Sequence, residues 1–342
     1  MKLHCIFLAA ISFYCQDTSA DTITLRGARS PIECRILSGG IEGLHLVLEQ
    51  GSAVQSLVPW STISSIETET PMPALQRFLT QGEKLWRAKI RFLRGDLQLA
   101  EPSFALLFRE YEGSNSEDAR LASEGLLRCY LARGKLDAAL HPWLETVKLE
   151  EFGVESPFAE LLPILDSSTL LSPYLPPVWQ VDEKARVILE KYKQSSMKTT
   201  SSLAKVLLSQ GTDEKVSLVT GVEDGKFLPR IIAAANGDPV SILALEKTLD
   251  SAPLWKQNWV NYFIALGLVR KDDDSSKKAG MLLFAKISAN SQRENPWLSG
   301  SAMFLLADEL DTGGFKEEAK RIRKEMRRVF PAHPLLYTAI SK

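Results

Sequence analysis

The spacing of apolar and polar positions changes once along this chain. From Asp21 to about Thr70 they alternate in short runs, and from Ala74 onward they recur every three to four residues. These are the periods of a half-buried strand and of an amphipathic helix. In the first stretch, Thr22 to Leu25, Glu33 to Leu37, Gly43 to Leu48, Ala53 to Val58 and Thr62 to Glu67 are rich in Ile, Val, Leu and Thr and predict strands. Ser38-Gly39-Gly40 and Gln50-Gly51-Ser52 separate them with turn chemistry. So many short strands in about fifty residues predict a small barrel or rolled sheet, closed to remove its edges.

Pro71-Met72-Pro73 reads as a linker, residues 71–73. Helices are then expected at Ala74 to Leu93, Leu97 to Tyr111, Glu117 to Ala132 and Leu136 to Leu149, filling residues 74–150 with two successive hairpins. Pro157, Pro163, Pro173, Pro176 and Pro177 interrupt helix across residues 151–180, since proline lacks a donor and biases its predecessor away from the helical region. Phe158, Leu161, Leu162, Ile164, Leu165, Leu170, Leu171, Tyr174, Leu175 and Trp179 make that segment too apolar for a free linker, so an ordered insertion is expected. Residues 181–342 return to helical repeats with a C-terminal cap. The expected helices are Asp182 to Gln194, Ser202 to Ser209, Phe227 to Asn236, Pro239 to Leu249, Leu254 to Val269, Ser276 to Ser288, Trp297 to Leu310, Phe315 to Val329 and Pro334 to Ile340.

A faint repeat runs through these helices. Gly95 precedes Ala100 by five residues, Gly134 precedes Ala139 and Gly314 precedes Ala319; Asp274 with Ala279 supplies a fourth case without the glycine. Each first member falls at a predicted turn, and each alanine falls where a small side chain lets helices approach. These residues resemble the tetratricopeptide repeat, with further matches at Ala88, Phe104, Leu126, Tyr130, Trp143, Leu266, Gly267, Leu306, Ala307 and Pro331. The spacings of 39 residues from Gly95 to Gly134 and 40 from Ala279 to Ala319 exceed that repeat, which is about 34 residues long. Arg87, Arg91, Lys286 and Arg323 stand where it has apolar or small residues. The likeness covers Ala74 to Leu149 and Leu254 to Ala332. Leu57-Val58-Pro59-Trp60-Ser61-Thr62-Ile63 resembles the closing part of SH3-like or Sm-like small barrels. Together these imply a mainly α chain: a tetratricopeptide-like solenoid of helical hairpins behind a small all-β, SH3-like module at residues 21–70.

Composition adds a destination. Residues 1–20 place Lys2 and His4 before an apolar run from Cys5 to Cys15 and finish Thr18-Ser19-Ala20, the layout of a cleavable signal peptide. An uncleaved N-terminal anchor is the alternative. Phe13 and Tyr14 are too bulky for a lipid-attachment box before Cys15. Cleavage leaves Cys34 and Cys129, one per module, too few for a disulfide framework, so both read as small buried apolar side chains. The 41 basic and 42 acidic residues balance to a formal net charge of -1, which removes nucleic acid as a default partner. An exported periplasmic or secreted protein, soluble after cleavage, follows.

Chemistry is sparse. His45, His141 and His333 have no metal spacing around them, with His141 and His333 read as helix-boundary residues before Pro142 and Pro334. G-x-S-x-G, G-x-x-x-x-G-K-[ST] and H-E-x-x-H do not occur. Asp272-Asp273-Asp274, flanked by Lys271, Lys277 and Lys278, reads as a solvated turn whose carboxylates start a helix, not as a calcium loop. Trp255, Trp259, Tyr262 and Phe263 lie at core spacing. Phe315, Ala319, Ile322, Met326 and Val329 form an apolar stripe opposite Lys316, Lys320, Arg321, Arg323, Lys324, Arg327 and Arg328, a solvated cap face or a docking face for lipid headgroups or an acidic protein.

No catalytic, cofactor or metal residue is therefore assigned. The expected function is non-catalytic protein–protein interaction or scaffolding in a bacterial cell envelope, with a protein or peptide partner on the concave helical face. Peripheral membrane contact through the C-terminal basic helix is a further possibility. The alternatives are an envelope enzyme or accessory subunit with a cleft at the proline-rich insertion, or glycan binding through the β-module. Convergent carboxylates or a Ser/Lys pair in a deep pocket at the insertion would favour the enzyme.

Overall fold

The computed structural model describes residues 21–48, 55–177, 181–210, 218–290 and 295–338. Their contacts divide between Lys84 and Leu85 into two compact units.

The first unit is an antiparallel sheet of β1 (Asp21–Leu25), β2 (Ile32–Gly40), β3 (Gly43–Leu48), β4 (Gln55–Val58) and β5 (Ile63–Glu67), ordered β4-β3-β2-β1-β5. A single turn of 3₁₀ helix, Trp60–Thr62, links the last two strands. The sheet is open, with β4 and β5 at its edges, which corrects the expectation of closure. The reason is what covers its apolar face. Ile23, Cys34, Ile36, Leu44, Leu46, Trp60 and Ile63 bury against Leu75, Phe78 and Leu79 of α1 (Pro73–Leu93), so a helix removes the face from water and closure is not needed. Trp60 is fully buried, stacks on Phe78 at 5.4 Å and donates from Nε1 to the Gly40 carbonyl at 2.7 Å. A Cβ on Gly82 would lie 2.3 Å from the Trp60 carbonyl oxygen, so glycine lets α1 approach this closely. Pro73, expected in a linker, is the first residue of that helix.

The second unit is helical: α2 (Leu97–Glu110), α3 (Glu117–Ala132), α4 (Leu136–Glu151), α5 (Glu183–Lys193), α6 (Lys198–Leu208), α7 (Phe227–Ala235), α8 (Pro239–Glu246), α9 (Leu254–Val269), α10 (Asp274–Asn290), α11 (Pro296–Thr312), α12 (Lys316–Val329) and α13 (Leu335–Thr338). Neighbours in sequence pack on one another from α2 to α4 and from α9 to α12, and α4 with α6, α7 with α9 and α9 with α11 meet two elements apart.

Five connections share one mechanism. At Gly95, Gly134, Gly153, Gly237 and Gly314 the backbone takes positive φ. The glycine N–H donates three residues back and the next N–H five residues back, as in Lys135 to Tyr130 and Phe315 to Leu310. This is a Schellman cap, which satisfies the last helical carbonyls and needs a left-handed residue. Ala100, Ala139 and Ala319 are fully buried. The fourth repeat position differs: Ala279 is exposed and Asp274 lies inside α10. The small residue at that helix contact is Gly280, whose Cβ would sit 2.7 Å from Val269 Cγ1.

Other boundaries moved for identifiable reasons. His141 and Pro142 lie within α4, not at its edge. Helix α6 starts at Lys198, earlier than Ser202, because the Glu151 carboxylate accepts from the backbone N–H of Thr199 (2.8 Å) and Thr200 (3.1 Å). A residue from α4 thus caps a stretch whose own Thr-Thr-Ser sequence favours other conformations. Trp179, Ile340, and the Ala53 and Val54 start of the fourth strand lie outside the described residues.

Candidate binding pocket

Four parts of the second unit line an apolar pocket of 220 Å³: Phe92, Arg128, Leu131, Ala132, Ile164, Tyr174, Asn295, Pro296 and Trp297. The last turns of α1 and α3, the proline-rich insertion and the first turn of α11 supply these residues.

Each wall has a local cause. Gly134 ends α3 at φ +68°, and the Trp297 ring occupies the place a side chain there would take, 1.4 Å from an added Cβ. Asn295 joins two walls: its Oδ1 accepts from Leu298 N–H at 3.1 Å, capping α11, and its Nδ2 donates to the Pro173 carbonyl at 3.2 Å. Behind Trp297 stands buried His333, 5.1 Å away ring to ring, with Nε2 3.0 Å from the Trp297 carbonyl and Nδ1 accepting from Leu335 N–H. Burial holds the His333 imidazole below its ordinary pKa, against the opposing pull of the Trp297 carbonyl.

Arg128 is the charged residue of the lining, and it is already compensated. Its Nε donates to Glu124 Oε1 at 2.9 Å, its Nη2 reaches the Leu162 carbonyl at 3.0 Å, and its guanidinium lies over Phe158. Fully buried Glu124 also accepts from Arg120 Nε (3.1 Å) and Ser156 Oγ (2.9 Å). Arg120 continues to Glu150 Oε2 at 2.6 Å and to the Thr146 carbonyl. The acids therefore lie behind the arginines and do not line the pocket.

Beside the insertion, Ser168 Oγ receives a hydrogen bond from Lys256 Nζ at 3.0 Å. Lys256 also pairs with Asp224 Oδ2 at 3.1 Å and lies 3.8 Å from Asp166 Oδ1, while Ser168 donates to Asp166 at 2.6 Å. The serine proton is directed to a carboxylate and the ammonium is shared between two. That is the wiring of a cross-link from the insertion to α9; a Ser–Lys dyad has the hydroxyl donating to a neutral amine. Neither residue lines the 220 Å³ pocket. A second, polar pocket of 490 Å³ is bounded by Leu218 to Lys226 and Arg230.

The residues weighed from sequence lie apart. His45 is half-buried on β3. His141 sits between Phe108 (4.8 Å) and Tyr192 (5.7 Å) with Nε2 3.2 Å from Glu112 Oε1, too misaligned for a hydrogen bond. Burial, ahead of the opposing Glu112 charge, depresses its pKa. Burial pushes the Glu112 carboxyl up, but Lys191 and His141 together pull it below its usual value. Asp273 Oδ1 caps α10 by accepting from Ser276 N–H at 2.7 Å. Trp259, Tyr262 and Phe263 are core. Cys34 and Cys129 are both buried, and burial pushes the Cys129 thiol up to about 12.

No family model, curated protein or solved structure matches this chain.

The pocket residues carry no local signal, since Phe92 and Trp297 stand more than half the chain apart. In their own segments, Ile164 and Tyr174 stand out as apolar residues of the proline-rich insertion, and Trp297 as a helix start beside Pro296.

Proposed function

We propose that this is an exported, non-catalytic binding or scaffolding protein of the cell envelope, and that its pocket grips one large apolar side chain of a protein or peptide partner. The carrying observation is the match of size to lining. A volume of 220 Å³ walled by Phe92, Tyr174 and Trp297 lies below the roughly 300–1,000 Å³ of sites that enclose a whole small-molecule ligand. It exceeds the roughly 150 Å³ that suffices for benzene. The signal-like segment at residues 1–20 supports export, and no helix among the described residues is long and apolar enough to cross a membrane.

The finer architectural reading has support too. Left-handed Gly95, Gly134 and Gly314 followed by buried alanines suit tetratricopeptide-like hairpins. The strand order, with a 3₁₀ turn before the last strand, suits an SH3-like module.

Indole titration tests the pocket. Indole is expected to raise the thermal midpoint of the wild type but not that of Ala132→Trp, which fills the space from an exposed helix position. Partners captured from envelope extracts should be lost in the same variant. Equal indole response or equal capture by both proteins would refute the reading.

The second reading, an envelope enzyme or accessory subunit, has against it that the Ser168 hydroxyl is committed to Asp166 and the Lys256 ammonium to Asp224. A hydrolytic activity on acyl substrates that disappears in Ser168→Ala, with unchanged thermal stability, would establish it.

A further inference from the structure

The search for further chemistry leads to α12, away from the pocket. Lys316, Lys320, Lys324 and Arg327 are all exposed, and among the described residues none forms an ion pair. At 100° per residue they occupy one narrow strip of the helix, a row roughly 16 Å long at 1.5 Å per residue. The opposite side is taken, with Ala319 and Met326 buried against α11 and its surroundings.

The other charges of the helix sharpen this asymmetry. Arg323 sits off the row and donates to Asp311 (2.8 Å) and Asp308 (2.9 Å) on α11. Arg328 is paired with Glu325 of its own helix. Arg321 is exposed at the flank, as are Glu317 and Glu318. Among the described residues, five cations and two carboxylates of this helix thus have no ion pair, on a chain whose formal net charge is only -1.

We infer that this row is a docking strip for an anionic phospholipid surface. Two observations favour lipid over an acidic protein. Arg323 and Arg328 are consumed internally, which leaves Arg327 as the one guanidinium of the row. The free row is mostly lysine, a hydrated point charge suited to a diffuse layer of phosphates. Because the apolar side of α12 is already packed, the helix cannot bury it in the bilayer, so attachment is electrostatic and salt-sensitive. Each cation near such a surface strengthens binding by about fivefold, equivalent to ~1 kcal/mol.

The test is sedimentation of the full chain with vesicles of equal phosphatidylglycerol and phosphatidylcholine, and with phosphatidylcholine alone. The anionic vesicles should bind the wild type at low salt and lose it at high salt. K316A/K320A/K324A/R327A should weaken that binding by several hundredfold while leaving the thermal midpoint and binding to neutral vesicles unchanged. K271A/K277A/K278A removes comparable charge elsewhere and should weaken it far less. Equal binding by wild type and the fourfold variant overturns the inference, as does competition by soluble poly-glutamate at charge concentrations where anionic vesicles do not compete.

Discussion

Helices α3 and α9 are both sixteen residues long and both largely buried, yet they are held by different physics. In α3 the buried set includes Asp118, Arg120, Ser123 and Glu124, with Glu124 shared between two guanidinium groups. In α9 the centre is Trp259 packed on Trp255 at 5.1 Å and on Phe227 at 6.3 Å, with Tyr262 edge-on to Phe284 at 5.7 Å. An ion network in low dielectric is unforgiving of losing one member, because the remaining charges stay buried without compensation. An aromatic core yields by degrees, since cost follows the volume removed. The difference places geometric precision at the pocket, which α3 borders, and bulk cohesion around α9.

The largest effect should come from Glu124→Ala, which leaves Arg120 and Arg128 facing each other. A loss of about 3–5 kcal/mol is expected in urea unfolding, whereas the apolar replacement R120M/E124L/R128M should fall within about 2 kcal/mol of wild type. A loss below about 1 kcal/mol for the single variant would erase the contrast between the two helices.

Next comes the end of α3. Gly95→Ala and Gly134→Ala both force a residue with a Cβ into a left-handed cap, at about 1–2 kcal/mol. Space around Gly95 is open, while at Gly134 the Trp297 ring blocks the new atom, adding about 1–3 kcal/mol of overpacking. Thermal unfolding of the pair separates the two contributions, and equal midpoints would show that Trp297 yields freely.

Trp259→Phe should be milder, about 1–2 kcal/mol. The indole Nε1 is buried without a hydrogen-bond partner, so its removal strands no acceptor. A loss as large as that of Glu124→Ala would mean the α9 core is no more forgiving than the network.

The smallest effect is on pH. His141 and His333 are both depressed by burial in the folded chain. The unfolded chain therefore binds protons first as pH falls through the ordinary histidine value near ~6.5. Stability is complete above that value and declines below it. The double variant H141F/H333Q should show a shallower fall in unfolding free energy between pH 7 and pH 5. No histidine lies on α9, so amide protection factors there, with the intrinsic pH dependence of exchange divided out, should respond to pH only through global unfolding.

Much of this fold could be read from residues alone where the signals are local. The bounds of α3 and α9 follow from the Gly134 stop and the Pro253 start. Buried Cys34, Cys129 and Trp259 follow from pattern. What could not be read depends on contacts across the chain. The Glu151 cap sets the start of α6, α1 covers the sheet, and a one-residue shift puts Gly280 in the contact expected of Ala279. The pocket belongs to this second group, because its walls come from segments with no common periodicity or motif.

The carboxylate that caps α6 stands 48 residues before Thr199 in the chain. An isolated peptide spanning Lys198 to Leu208 therefore lacks the acceptor that starts its helix, whereas α4 carries its own apolar face. As the polypeptide emerges from its N-terminus, α4 is complete before α6 exists. The order of synthesis thus delivers the template ahead of the segment that needs it.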